Sequence, residues 1–245
     1  MKKIVVLSLF AFIIAGCKTD VKTSITTDEL ASSEHTNVDG NILVQVLSCS
    51  SYEDSRVESR SLIEAKTKVA SILADSEYIE CYDKQMQSYA SFKIPVGVGA
   101  IGDDGNLNFN NDVFIFSSND ITLGAVLNSA LLQRIKDVEK SSPFSQKIDL
   151  SMSISLSAGE KPIPMTVWQG VYLSDNESNI KQNPAIMAMR GGDGVDKVVI
   201  TLSDVASSTL MNGDVAIIGW NPDSLMKVAA FFAPSIPVSS LSYTI

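Results

Sequence analysis

The sequence predicts an α+β fold, with a strand-helix-strand N-terminal half containing two helices and a β-rich antiparallel C-terminal half. Three patterns carry that expectation. Apolar residues recur at helical spacing in two stretches before Pro143. Directly after it, Ile148, Leu150, Met152, Ile154 and Leu156 alternate with Asp149 and serines, which marks a half-buried strand. Short apolar runs punctuated by Gly, Pro and Asn then fill the remainder.

In chain order, Met1, Lys2 and Lys3 form a positive start and Ile4 to Ala15 an apolar run too short to span a bilayer as a helix. Residues 1–16 therefore read as a signal peptide. Residues 17–40 are polar, rich in Thr, Ser, Asp and Glu, and read as a tether. An α/β-like unit is expected over 41–142. It begins with a strand at Ile42–Leu47 and continues with a helix carrying Leu62, Ala65, Val69 and Ile72 on one face, for which Ser55 and Glu58 offer a capping box. A long strand follows from Tyr78 through Val98, then a strand at Val113–Phe116. Asn119 and Asp120 are good caps for a second helix bearing Leu123, Val126, Leu127, Leu131, Ile135 and Val138.

Residues 143–245 form the expected β-rich unit. Beyond the alternating strand, further strands are predicted at 165–173, 185–190, 197–202 and 215–220. Asn212-Gly213 reads as a type I′ turn between two of them. A late helix over Leu225–Phe232 is bracketed by Pro222 and Pro234.

Ile14-Ala15-Gly16-Cys17 resembles the lipobox of bacterial lipoproteins, small residues before a cysteine that is acylated and becomes the new first residue. That resemblance implies lipidation (palmitate among the acyl groups) at Cys17 and attachment to a membrane through the N-terminal lipid. Each buried methylene of the acyl chains adds about 0.8 kcal/mol, enough to make release negligible. Lys18 rather than Asp after the cysteine implies the outer membrane with the body in the periplasm. The inner membrane and the cell surface are the other placements compatible with such an anchor.

Loss of Lys2 and Lys3 with the signal takes the formal charge from −9 to −11, which repels nucleic acid and argues against a nucleic-acid partner. Of three cysteines, Cys49 and Cys81 remain after lipidation, and an oxidising compartment favours a disulfide between them. Two free buried thiols or a reactive pair are the competing readings, although a redox pair of the thioredoxin type would be spaced C-x-x-C.

Catalytic and cofactor motifs do not assemble. Gly97, Gly99 and Gly102 fit G-x-G-x-x-G, but the acidic turn Asp103-Asp104-Gly105-Asn106 follows where a helix N-terminus is needed, so no cofactor is expected. Asp104, Asn106, Asn108, Asn110 and Asp112 recur at every second position and are the weak candidates for a hard-cation site. A calcium loop counted from Asp104 would need Gly and Glu where Phe109 and Ile115 stand. Ser178 to Lys181, Ser224 to Lys227 and Ser174-Asp175-Asn176 match elements of the penicillin-binding acyl-enzymes in the wrong order, without a Lys-Thr-Gly. His35, the only histidine, lies in the expected tether, which removes a Ser-His-Asp triad and a histidine zinc site. Trp168, Tyr172, Trp220, Phe231 and Phe232 are aromatic candidates for a contact surface or an apolar cavity.

Over the whole chain, Cys17-Lys18-Thr19-Asp20-Val21, Thr27-Asp28-Glu29-Leu30, the two later cysteines and Leu202-Ser203-Asp204-Val205-Ala206 give a resemblance to uncharacterised lipoproteins of enterobacteria and their tailed phages. The resemblance implies an envelope lipoprotein without an assigned reaction; a phage or prophage origin would imply a change to the host surface, such as masking a receptor. The function expected is therefore binding of an envelope protein, not catalysis. The alternative is a periplasmic carrier of a lipid or small molecule.

Overall fold

A computed structural model describes residues 18–73, 75–102, 109–141, 148–175 and 187–224. The chain is predominantly β, built on one large mixed sheet, so the expected helix-strand N-terminal half is not found. β1 (Lys18–Thr26) opens the fold where a polar tether was expected. Val21, Thr23 and Ile25 are buried on one face while Asp20, Lys22 and Ser24 take the other, the period-2 pattern of a strand. The helix α1 (Thr27–Ala31) follows at once, with Thr26 and Glu29 forming a reciprocal capping box. The Asp28 carboxylate accepts from the backbone N–H groups of Glu160 (2.6 Å) and Lys161 (3.2 Å), so this short helix also fixes a distant loop.

β2 (Thr36–Val46) pairs antiparallel with β1 and leads to α2 (Arg60–Ile72). Leu62, Ala65 and Val69 are buried as the helical spacing predicts, but the cap is Ser59, whose Oγ accepts from the Leu62 N–H at 3.1 Å, and not Ser55. The long strand expected over Tyr78–Val98 is two, β3 (Glu77–Lys84) and β4 (Gln87–Ala100), folded into a hairpin at Gln85 and Met86. Along one edge β4 pairs with β2; the other edge serves β3 up to Lys93 and then, from Val96, the parallel strand β5 (Val113–Ser117). Pro95 stands at that changeover, where its missing N–H costs least.

The second predicted helix divides. Ile121–Leu127 is a strand, β6, antiparallel to β5, and only Ser129–Ser141 is helical, as α3. Gly124 fits this: it pairs with Phe116 across the two strands, and a Cβ there would lie 2.5 Å from the Phe116 ring, which covers the bare glycine. Asn128 Oδ1 then accepts from the Ala130 N–H and starts the helix.

β7 (Asp149–Ser157) matches its alternating pattern, with Leu150, Met152, Ile154 and Leu156 buried. Its neighbours are β1, in parallel, and β11 (Lys197–Leu202), antiparallel, so one sheet joins the two halves; among the described residues the strand pairs within the C-terminal half are all antiparallel. The short strands β8 (Thr166–Trp168), β9 (Val171–Ser174) and β10 (Ala188–Arg190) precede β11. Asn212-Gly213 is no hairpin turn. It ends an unexpected helix, α4 (Asp204–Asn212), with Gly213 in the left-handed conformation as its C-cap, before β12 (Ala216–Trp220). Residues 222–224 are helical; the late helix expected over Leu225–Phe232 lies outside the described residues.

The strand order is β10-β8-β12-β6-β5-β4-β2-β1-β7-β11-β9. β8 and β9 are separated by two residues in sequence yet lie near opposite ends of that order, so the sheet must curl until its arms meet. At the junction the Gln169 N–H donates to the Ile218 carbonyl at 3.0 Å, and the Gly170 carbonyl accepts from the Ser203 N–H at 3.0 Å. α4 packs against β6 and β12 of one arm and β7 and β11 of the other. One continuous buried cluster fills the curl, running from Val21 and Ile42 through Phe92, Trp168 and Ile200 to Ile218. Among the described residues, no helix is long and apolar enough to cross a membrane.

Candidate functional site

The outward face of the central strands carries a polar strip. Strand register sets Lys93 of β4 beside Asn41 of β2, Asn41 beside Lys22 of β1, Lys22 beside Ser153 of β7, Ser153 beside Thr201 of β11, and Thr201 beside Tyr172 of β9. A neighbouring row sets Ser24 beside Ser155, Ser155 beside Val199, and Val199 beside Ser174. Because alternate residues of these strands fill the core, their partners are obliged to line up on the other face.

A cleft of about 440 Å³ is sunk into this strip, lined by Asp20, Lys22, Asn41, Ser151, Ser153 and Ser155 among others. Its floor is enclosed: Ser155 is 4 % exposed and Val199 2 %. The Ser153 and Thr201 hydroxyls hydrogen-bond to each other at 2.9 Å. Ser155 Oγ, by contrast, is buried with no hydrogen-bond partner, a condition that costs free energy unless something supplies one. At the rim, Lys93 Nζ meets Asp39 Oδ2 at 2.8 Å. The hydrogen bond to that carboxylate, and then its charge, hold the Lys93 ammonium above the usual lysine value. Hydroxyls, an amide, a cation and carboxylates in one cleft suit a polar, hydrogen-bonding ligand or surface.

The cysteine expectation is met. Cys49 and Cys81 form a disulfide, with Cα atoms 5.6 Å apart, that pins the loop after β2 to β3. Cys17 lies outside the described residues, as do Asp104, Asn106 and Asn108. Of the remaining cation candidates, Asn110 is exposed and the Asp112 carboxylate is engaged by Arg134, whose Nε also reaches the Ile72 carbonyl at 2.5 Å. The described residues therefore do not gather that set into one site. Gly97 and Gly99 belong to β4, where they admit Phe114 and His35 close to the backbone; residues 103–108, which follow the third glycine of the motif, lie outside the described residues. His35 is no tether residue: its ring packs on Phe114, with centroids 4.8 Å apart.

Trp168 is fully buried, and its indole N–H donates to the Arg190 carbonyl at 3.0 Å, so it is a core residue. Trp220 buries its indole N–H without a partner, and Tyr172 joins the polar strip; Phe231 and Phe232 lie outside the described residues. Ser224 hydrogen-bonds to Asp120 at 2.6 Å, while Ser178, Lys181, Asn176 and Lys227 are outside the described residues. Sequence reasoning missed Asp20, Lys22 and Ser24 because they fell in the expected tether. Their alternation with Val21, Thr23 and Ile25 was the available signal.

The sequence profile of a domain of unknown function, DUF7424, matches residues 19–224, from the first strand to just past the last. The chain belongs to the DUF7424 family. No curated protein and no solved structure matches it. The match spans both halves of the curled sheet, so the DUF7424 unit includes the polar strip and the disulfide-pinned loop.

Proposed function

We propose that this DUF7424 chain is an envelope lipoprotein, processed before Cys17 and held by acyl chains there on the outer membrane, where its periplasmic body acts by binding an envelope protein and not by catalysis. The observation that carries the reading is the order of the first residues: two lysines, a short apolar run, then Ile14-Ala15-Gly16-Cys17. A disulfide in the folded body accords with an oxidising compartment. The polar strip supplies the binding surface, since its rows of hydroxyl, amide and charged groups offer hydrogen bonds across neighbouring strands. The resemblance to lipoproteins of enterobacteria and their phages supports a host-surface role, such as masking a receptor.

A second reading rests on the cleft. Its enclosed floor and unpartnered Ser155 hydroxyl fit a small polar molecule, and its polar lining disfavours a lipid cargo. Site-specific photocrosslinkers at Asn41 and Ser151, introduced in living cells, test both readings. A discrete protein adduct from these positions, absent from a position on β10, is the expected result. No adduct, combined with a small molecule retained in native mass spectrometry, would replace protein binding by the carrier reading. Neither adduct nor ligand would overturn both.

A further inference from the structure

The end of the sheet at which β1 begins exposes three large side chains, Leu47, Tyr52 and Met86, among polar neighbours. Lys18 is the first residue of β1, and the residue before it is Cys17, so about one 3.8 Å Cα step separates an anchor at Cys17 from the central strand. No flexible linker lies between them. Thr19 pairs with Val44, which sets the start of β1 beside the end of β2, and β2 runs out immediately into Leu47. Strand spacings place Leu47 roughly 8 Å from Lys18. On the other side of β2, Val46 pairs with Ser88, so Leu47 emerges next to the β3–β4 hairpin tip at Gln85 and Met86.

Leu47 is 82 % exposed and Met86 103 %, and Tyr52 in the following loop is 104 % exposed. Leu47 and Tyr52 line the same surface depression. The loop that presents them is fixed by the Cys49–Cys81 disulfide, by the Ser51 N–H donating to the Val57 carbonyl at 2.8 Å, and by the Ser59 N–H donating to the Cys49 carbonyl at 3.1 Å. Scattered exposed apolar side chains need no explanation, but these are gathered on a pinned rim at the one end where an acyl chain would enter. Two of the nearby cations, Arg56 and Arg60, are already engaged by Asp54 and Glu64. A leucine, a methionine and a tyrosine suit the boundary between headgroups and acyl chains, where amphipathic rings collect.

We propose that Leu47, Tyr52 and Met86 form a membrane-docking rim that seats the body on the same lipid leaflet that holds the Cys17 acyl chains. The proposal rests on the lipoprotein reading. The rim adds a second membrane contact to the lipid anchor and fixes orientation: β1 rises from the bilayer, and the polar strip stands across the exposed wall of the sheet.

The test uses the full chain, expressed in a Gram-negative host, purified from its membranes and reconstituted into phosphatidylethanolamine and phosphatidylglycerol vesicles with brominated acyl chains. Tryptophan is introduced singly as Leu47→Trp, Tyr52→Trp and Met86→Trp, with Glu34→Trp near the opposite end of β1 as the control. Bromolipid quenching at least twofold greater than that of the parent protein is expected at the three rim positions and not at Glu34→Trp. Near-ultraviolet circular dichroism identifies any variant that fails to fold, and the other two rim positions then serve. Vesicle-bound protein with an acylated Cys17 but no added quenching at the rim would overturn the docking proposal alone. An unacylated Cys17 by intact mass would overturn both the anchor and the rim.

Discussion

Removing the Cys49–Cys81 bridge should destabilise the body by an amount that follows from loop length. The two residues are 32 apart, and closing a loop of that size removes about 12 cal/mol/K of chain entropy from the unfolded state, or about 3.7 kcal/mol at 25 °C. The other ties of the loop survive in a Cys49→Ala, Cys81→Ala double variant. Ser59 still caps α2, and the Ser59 and Ser61 hydroxyls still reach the Ser48 carbonyl. Only the cross-link is lost. For a body of this size, the melting temperature should fall by roughly 7–15 °C and the urea midpoint by about 1–2 M. Differential scanning calorimetry of the parent and the double variant, with urea titration alongside, reads both. A melting temperature unchanged within 2 °C would refute the reasoning, because the bridge would then constrain nothing that the unfolded chain explores.

Ser155→Ala removes a buried hydroxyl that lacks a partner, so it should raise stability by about 1 kcal/mol in urea unfolding while weakening any ligand held in the cleft. A loss of stability instead would mean that the hydroxyl is satisfied. Trp168→Ala, at a fully buried core position, should cost about 3–5 kcal/mol in the same assay. Arg134→Met leaves the partly buried Asp112 carboxylate without its cation and should cost about 1–3 kcal/mol, and calcium should not restore it. Lys93 titrates above the usual lysine value because of Asp39. Its stabilising contribution is therefore full below the unfolded-state value, near 10.4, and is lost as pH rises through the folded-state value. The side-chain NMR titration midpoint of Lys93 should move down in Asp39→Asn, and an unmoved midpoint would contradict the pairing.

Local patterns were legible where one element had one period. Leu150, Met152, Ile154 and Leu156 read as a strand and are one; Leu62, Ala65 and Val69 read as a helix face and are one. The reading failed where two elements abut without punctuation. Leu123, Val126, Leu127 and Leu131 happen to keep helical spacing across a strand and the helix after it, and only Gly124 and Asn128 betray the join. The β3–β4 tip is equally silent, since Gln85 and Met86 take positive φ, 51° and 64°, without a glycine to announce the turn. Asn212-Gly213 carried a true signal for a left-handed residue, which serves a helix C-cap as well as a hairpin. The polar strip depends on long-range pairing, above all Lys22 with Ser153 across the parallel β1–β7 ladder. Neither segment encodes that neighbour locally, and the acidic, hydroxyl-rich character of β1 disguised it as linker. The disulfide was within reach because only two cysteines remain once Cys17 is assigned to lipid.

The state of Cys17 decides most directly whether the chain is an envelope lipoprotein. Intact mass and N-terminal peptide mapping of the chain extracted from cell membranes, without reduction, should find a protein that begins at Cys17, carries acyl chains on that residue and retains the Cys49–Cys81 bridge. A chain that still begins at Met1, or one cleaved without lipid, would contradict the envelope-lipoprotein account.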